Sequence, residues 1–143
     1  MKKVFLFFAA TAFSIGLLSQ EVAQWRGPAR DGIYRESGLM QKWPQAGPEM
    51  IWHFDDLGQG YSSAAVSSAA VFTTGMTGGV GYVFAFDHRG KLLWKKDYGK
   101  EWDESHSGAR STPLVVGDKL YIMSAYGKIT CMNTANGQTV WSV

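Results

Sequence analysis

The stretch GYVFAFDHRGKLLW, Gly81 to Trp94, decides the fold, because GKITCMNTANGQTVW, Gly127 to Trp141, repeats it. Gly81 to Asp87 aligns with Gly127 to Asn133 at an offset of 46, and Gly90 and Trp94 align with Gly137 and Trp141 at an offset of 47. Upstream, Ser62 to Val66 and Val71 to Thr74 run parallel to Ser111 to Val115 and Leu120 to Met123 at an offset of 49. The changes in offset fall in turns, where insertions are tolerated. Each copy is a series of short β-branched and aromatic runs divided by turn signals: Gly75 to Gly81 in the first copy, Gly117 with Asp118 and Asn136 with Gly137 in the second. No segment after the leader sustains a helical period. A repeat of about 40 to 50 residues built of four antiparallel strands is the blade of a β-propeller. The sequence thus predicts an all-β fold with blades at 61–96 and 110–143.

Trp52, in Met50 to Phe54, stands 42 residues before Trp94 with no inner strands ahead of it. Residues 50–55 therefore read as an isolated outer strand, the piece that closes a propeller by pairing with its last blade. The partial propeller spans 50–143. About two blades do not close a ring, since propellers use roughly four to eight, so the chain reads as part of a larger ring. The small residues Ser62 to Ala65 suit the crowded inner strand, and the tryptophans suit the wide outer one. This taper accounts for the compositional excess of 17 Gly and six Trp in 143 residues.

The formal charge of +2 is carried by Lys2 and Lys3. They precede an apolar stretch, Val4 to Leu18, that turns polar at Ser19, the layout of a signal peptide over 1–19; a membrane-spanning helix needs about 20 apolar residues. Residues 20–49 form an N-terminal segment leading into the propeller. Without the leader, twelve basic residues face twelve acidic ones, which gives a phosphate backbone nothing to grip. The expected location is the periplasm or the exterior, with membrane contact only through export. The single cysteine, Cys131, excludes an internal disulfide and reads as a small buried hydrophobe in an alternating strand.

The repeat resembles the pyrroloquinoline-quinone (PQQ)-like β-propeller family, whose hallmark is Ala-x-Asp, a short turn with Gly, and a Trp four residues after that Gly. Ala85, Asp87, Gly90 and Trp94 keep every residue type with the turn shortened by one; Cys131, Asn133, Gly137 and Trp141 keep the spacing and replace Ala and Asp. Trp25 to Pro28, Asp31, Gly32 and Gly58 to Ser63 are similar to the opening region of exported members. The resemblance covers about residues 25 to 143 and implies eight blades, with Trp52, Trp94 and Trp141 docking between blades together with Ala85, Asp87, Gly90 and Gly137.

The family includes quinone-dependent dehydrogenases and members without quinone. The resemblance implies for the former a PQQ and a Ca²⁺ held by carboxylate and amide oxygens, an Asp base and often adjacent cysteines; no such set is visible here. The leading expectation is therefore an exported, non-catalytic scaffold without cofactor or metal, binding a protein or polymer partner in the cell envelope. The alternative is a periplasmic quinoprotein dehydrogenase for alcohols or sugars, using PQQ and Ca²⁺; a weaker third reading is a sugar-binding or polysaccharide-processing accessory. Locally, Glu101, Asp103, Glu104 and His106 could in principle bind a metal or act as acid and base, but they read better as a solvated crossover between blades. His53 and His88 lack a triad partner, and no Gly-x-Ser-x-Gly elbow occurs. Gly75, Gly78, Gly79 and Gly81 lack the Lys-Ser/Thr of a phosphate loop and read as a hairpin. Tyr34, Trp43, Tyr98 and Trp102 fall in expected loops, where they either cover blade edges or meet a partner.

Overall fold

A computed structural model describes residues 21–143. The expected signal peptide lies outside the described residues. These fold into nine strands with no helix among them: β1 (Val22–Ala23), β2 (Ala65–Val66), β3 (Val71–Thr77), β4 (Val80–Phe86), β5 (Leu92–Lys100), β6 (Leu114–Val116), β7 (Lys119–Met123), β8 (Ile129–Asn133) and β9 (Thr139–Ser142). One sheet has the order β2-β3-β4-β5 and the other β1-β6-β7-β8-β9. Every neighbouring pair is antiparallel. The described residues are all-β, and their two sheets are propeller blades of an incomplete ring.

The two copies share details finer than strand order. The outer hairpin of each blade carries a register shift at the same place, after Ala85 in the first and after Cys131 in the second. In both, the shift sets the Trp opposite the small residue, as Ala85 to Trp94 and Cys131 to Trp141. The β3–β4 hairpin closes through Gly78 and Gly79 at φ +58° and +75°, with Thr77 opposite Val80. Two successive positive φ values define a type I′ turn, whose twist matches that of the flanking strands. The glycine cluster is a hairpin tip.

Alternation along the strands places the core between the sheets. Phe72, Val83, Ala85 and Trp94 of the first sheet meet Val115, Leu120, Ile122 and Met132 of the second in one buried cluster. The opposite face of the first sheet presents Phe84 and Phe86. Trp52 and Phe54 cover it, with ring centroids 5.7 and 4.9 Å from Phe86. The corresponding far side of the second sheet leaves Met123, Ile129 and Trp141 exposed.

Four expectations are corrected. Residues 50–55 form no strand. Their exposure does alternate, with Ile51 and His53 outward and Trp52 and Phe54 half-buried, but the segment lies across the face of the first sheet, where no strand edge offers it a ladder. The inner strand of the first blade is shorter than the repeat suggested: β2 holds only Ala65 and Val66, and Ser62 Oγ takes the place of main-chain pairing, accepting the Thr74 N–H at 3.3 Å and donating to the Thr74 carbonyl at 3.2 Å. Tyr98 is not a loop residue; it lies in β5 and is 1% exposed. Glu101, expected in a solvated crossover, is also buried.

One element was not foreseen. β1 adds to the inner edge of the second sheet, pairing Val22 with Val116 and Ala23 with Val115. Beside it, the Glu21 carboxylate accepts the Ser68 N–H at 2.7 Å and the Ser68 hydroxyl at 2.6 Å. These bonds hold Glu21 below the ordinary carboxylate range and tie the N-terminal segment to both blades.

Candidate interaction surface

Two tryptophans and two glycines of the repeat come together across blade boundaries, Trp52 and Trp94 each on the turn of the blade that follows. The Trp94 indole N–H donates to the Thr134 carbonyl at 3.0 Å, and its ring lies over Gly137, where an added Cβ would stand 2.6 Å from a ring carbon. Trp52 repeats this one blade earlier: its N–H donates to the His88 carbonyl at 3.2 Å and its ring lies over Gly90, with 2.6 Å to an added Cβ. Both glycines are at positive φ, so the position needs Gly for its backbone as well as for its space. Trp141 is 44% exposed and touches Tyr121 of its own sheet, with ring centroids 6.0 Å apart. Ala85 is fully buried.

Asp87 shapes its turn by accepting the N–H groups of Arg89 and Lys91, both at 2.9 Å. The Lys91 hydrogen bond contributes most to holding its carboxyl below the ordinary range. Asn133 accepts the Ala135 N–H at 2.9 Å in the second copy. An amide oxygen thus serves this position as a carboxylate does.

The opposite end of the strands carries the crossover 101–113 and the turn 124–128. Here a groove of about 790 Å³ is lined by Tyr61, Trp102, Ser105, His106, Arg110 and Ala125. A second groove of about 600 Å³ shares Tyr61 and Arg110 with it and continues past Trp25 and Met123. Trp102 is fixed by its N–H, which donates to the Ser105 carbonyl at 2.8 Å, and its ring lies 6.4 Å from Tyr126. Lys100 stands 5.2 Å above the Tyr126 ring. Arg110 donates to the His106 carbonyl at 2.7 Å, and His106 holds a positive φ of 52°.

Beneath this surface Glu101 joins the blades. Its carboxylate accepts the Tyr98 hydroxyl at 2.6 Å and the Ala125 N–H of the second blade at 3.1 Å. Burial, with a smaller contribution from Glu101, pushes the Tyr98 phenol well above its ordinary range. The inner ends are stitched as well, by the Tyr61 N–H to the Ala109 carbonyl at 2.7 Å and the Ser63 N–H to Thr112 Oγ1 at 2.9 Å. The crossover is thus held from below and from the axis side, and its aromatic residues stand on a fixed base.

The acidic cluster of the sequence does not converge. Glu101 points inward, whereas the Asp103 carboxylate lies against Gly79. Among the described residues no group of three His, Cys, Asp or Glu side chains could hold a metal ion. Cys131 is buried, and no second cysteine exists to pair with it. Of the loop aromatics, Trp102 lies in the groove, Trp43 is exposed, and Tyr34 donates to the Trp25 carbonyl at 2.7 Å. Tyr61 and Arg110 are the groove residues that sequence reasoning missed. Their only signal was position, each just ahead of an inner strand.

Comparison with known proteins points the same way as the repeat. The family model described as outer membrane protein assembly factor BamB matches residues 41–143. Among solved structures, BamB from Moraxella catarrhalis is similar at 16% identity and a TM-score of 0.35, covering 57% of this chain and 34% of that one. The chain thus spans about a third of that structure's length. No curated protein matches it. With the family model matching well over half of the residues, the chain belongs to the PQQ-like propeller family of outer membrane protein assembly factor BamB.

Proposed function

We propose that this protein is an exported, non-catalytic propeller scaffold that binds protein partners in the cell envelope through the crossover end of its blades. The observation that carries this reading is the groove at Tyr61, Trp102 and Arg110. Trp, Tyr and Arg are the residue types that dominate binding energy at protein interfaces, and here Tyr61 and Arg110 stand exposed beside a half-buried Trp102, on a base fixed by Glu101. Family membership supports the envelope location, as does the leader-like start of the sequence. Neither PQQ nor Ca²⁺ is needed for such a role.

The test is site-specific photo-crosslinking in cells, with benzoylphenylalanine placed at Trp102 or, on the opposite end, at Arg89. Adducts to an envelope protein are expected from position 102 and not from position 89. Equal labelling, or none at 102, overturns the reading. Reconstitution with PQQ and Ca²⁺ gives a second arm: alcohol-dependent dye reduction would establish the dehydrogenase instead.

A further inference from the structure

The grooves differ from most exposed surface in their charge. The six residues lining the larger one include one guanidinium, one imidazole and no carboxylate, and the adjoining one adds no acid. Of the nearby acids, Glu101 turns into the core and Asp103 toward Gly79, and the exposed Glu104 is not among the residues lining either groove. Arg110 takes part in no ion pair among the described residues, and its bond to the His106 carbonyl orients a fork that has further donors to offer. On either side stand rigid aromatic faces, which supply contact area at low entropic cost. The grooves are open and share Tyr61 and Arg110, so they join into one continuous track.

We infer that this track binds an extended acidic polypeptide segment of a partner protein, with a carboxylate on Arg110 and the flanking apolar side chains on Tyr61 and Trp102. The inference rests on the scaffold reading above and names the chemistry of its partner. A planar carboxylate matches the guanidinium fork bidentately. A neutral polysaccharide fits less well, because sugar hydroxyls need acceptors as well as donors and no carboxylate or side-chain amide lines the larger groove. A nucleic acid would need a row of cations along its backbone, and the larger groove offers a single guanidinium.

The experiment is fluorescence anisotropy of the full chain with fluorescein-labelled dodecapeptides that carry Phe at alternate positions and a central Asp-Glu, Gln-Gln or Lys-Lys pair. The Asp-Glu peptide is expected to bind about tenfold tighter than the Gln-Gln peptide, the size of one charge-assisted hydrogen bond, and the Lys-Lys peptide weakest. Arg110→Gln should erase the ranking, whereas Trp102→Ala should weaken all three peptides and keep it. Raising KCl on the unmutated protein should weaken the Asp-Glu peptide most, a readout independent of any variant's folding. Equal affinities, a ranking unchanged in Arg110→Gln, or tighter binding of a neutral oligoglucan or of polyuridylate would overturn the inference. If crosslinks at position 102 persist while no peptide discrimination is found, only this inference falls; if the crosslinks fail too, the scaffold reading falls with it.

Discussion

Truncating Trp94 tests how the blades are held together. Trp94 is 9% exposed, so Trp94→Ala gives up most of the roughly 150–250 Å² that an aromatic side chain buries. At about 25 cal/mol per Å² this amounts to about 4–6 kcal/mol, close to the range of about 3–5 kcal/mol typical of Trp→Ala in cores. The same change at Trp141, 44% exposed, should cost only about 2–3.5 kcal/mol because close to half of its surface is already in water. Trp94→Phe keeps most of the packing on Gly137 and loses the bond to the Thr134 carbonyl, an expected cost of about 1–2 kcal/mol. The assay is urea unfolding followed by fluorescence and circular dichroism, with midpoints compared at constant slope. Because total stability is of the order of 5–15 kcal/mol, the Phe variant also guards against a protein that is unfolded at the outset. Equal losses at Trp94 and Trp141, or a loss below about 1 kcal/mol for Trp94→Ala, would refute the docking argument.

Gly137→Ala should destabilise clearly more than Gly127→Ala: both glycines sit at positive φ, but only at Gly137 would a Cβ meet the Trp94 ring, so melting midpoints separate the clash from the backbone cost of about 1–2 kcal/mol. The raised pKa of Tyr98 favours the native state fully below the unfolded value near 10. As pH rises above it, the unfolded chain loses the proton first, and stability should fall by about 1.4 kcal/mol per pH unit. Tyr98→Phe should flatten that alkaline limb in urea midpoints measured from pH 9 to 11, and an unchanged limb would contradict the assignment. Asp87→Asn should keep the turn, as Asn133 does in the other copy, with a melting temperature near the parent's at neutral pH. Because the Asp87 pKa is lowered in the fold, the carboxylate's stabilising contribution is present above its unfolded value and lost as pH falls through the folded one, so the variant should respond less to acid below pH 4.

The blade repeat was legible because it is written in local chemistry. Turn glycines, an alternating strand and a Trp at fixed spacing are each dictated within one hairpin, so the copies announce themselves without tertiary information. The groove was less legible. Trp102 could be singled out as a loop aromatic, but Tyr61 and Arg110 are 49 residues apart and meet only because two crossovers converge where the inner strands begin. Tyr98 was misplaced because β5 runs to Lys100, past the end of the repeat, with a polar stretch that carries no strand signal of its own. Glu101 was misread for a related reason: a carboxylate beside other acids reads as solvated until the partners that allow its burial, the Tyr98 hydroxyl and the Ala125 N–H, are brought to it.

The sequence by itself determined the blade repeat and the all-β class, since these rest on period and turn chemistry that each segment carries alone. Only the tertiary structure decided what each segment rests against. It laid residues 50–55 across a sheet face where the spacing of Trp52 had suggested an outer strand, and it added β1 to the second sheet. It set Trp52 and Trp94 on the glycines of the blades that follow them and turned Glu101 inward, leaving an Arg110 without an ion pair between aromatic faces. The physical reason is that strand formation follows from local patterns of φ/ψ preference and hydrophobicity, whereas edge pairing, ring docking and the burial of a charge depend on partners 24 to 94 residues away.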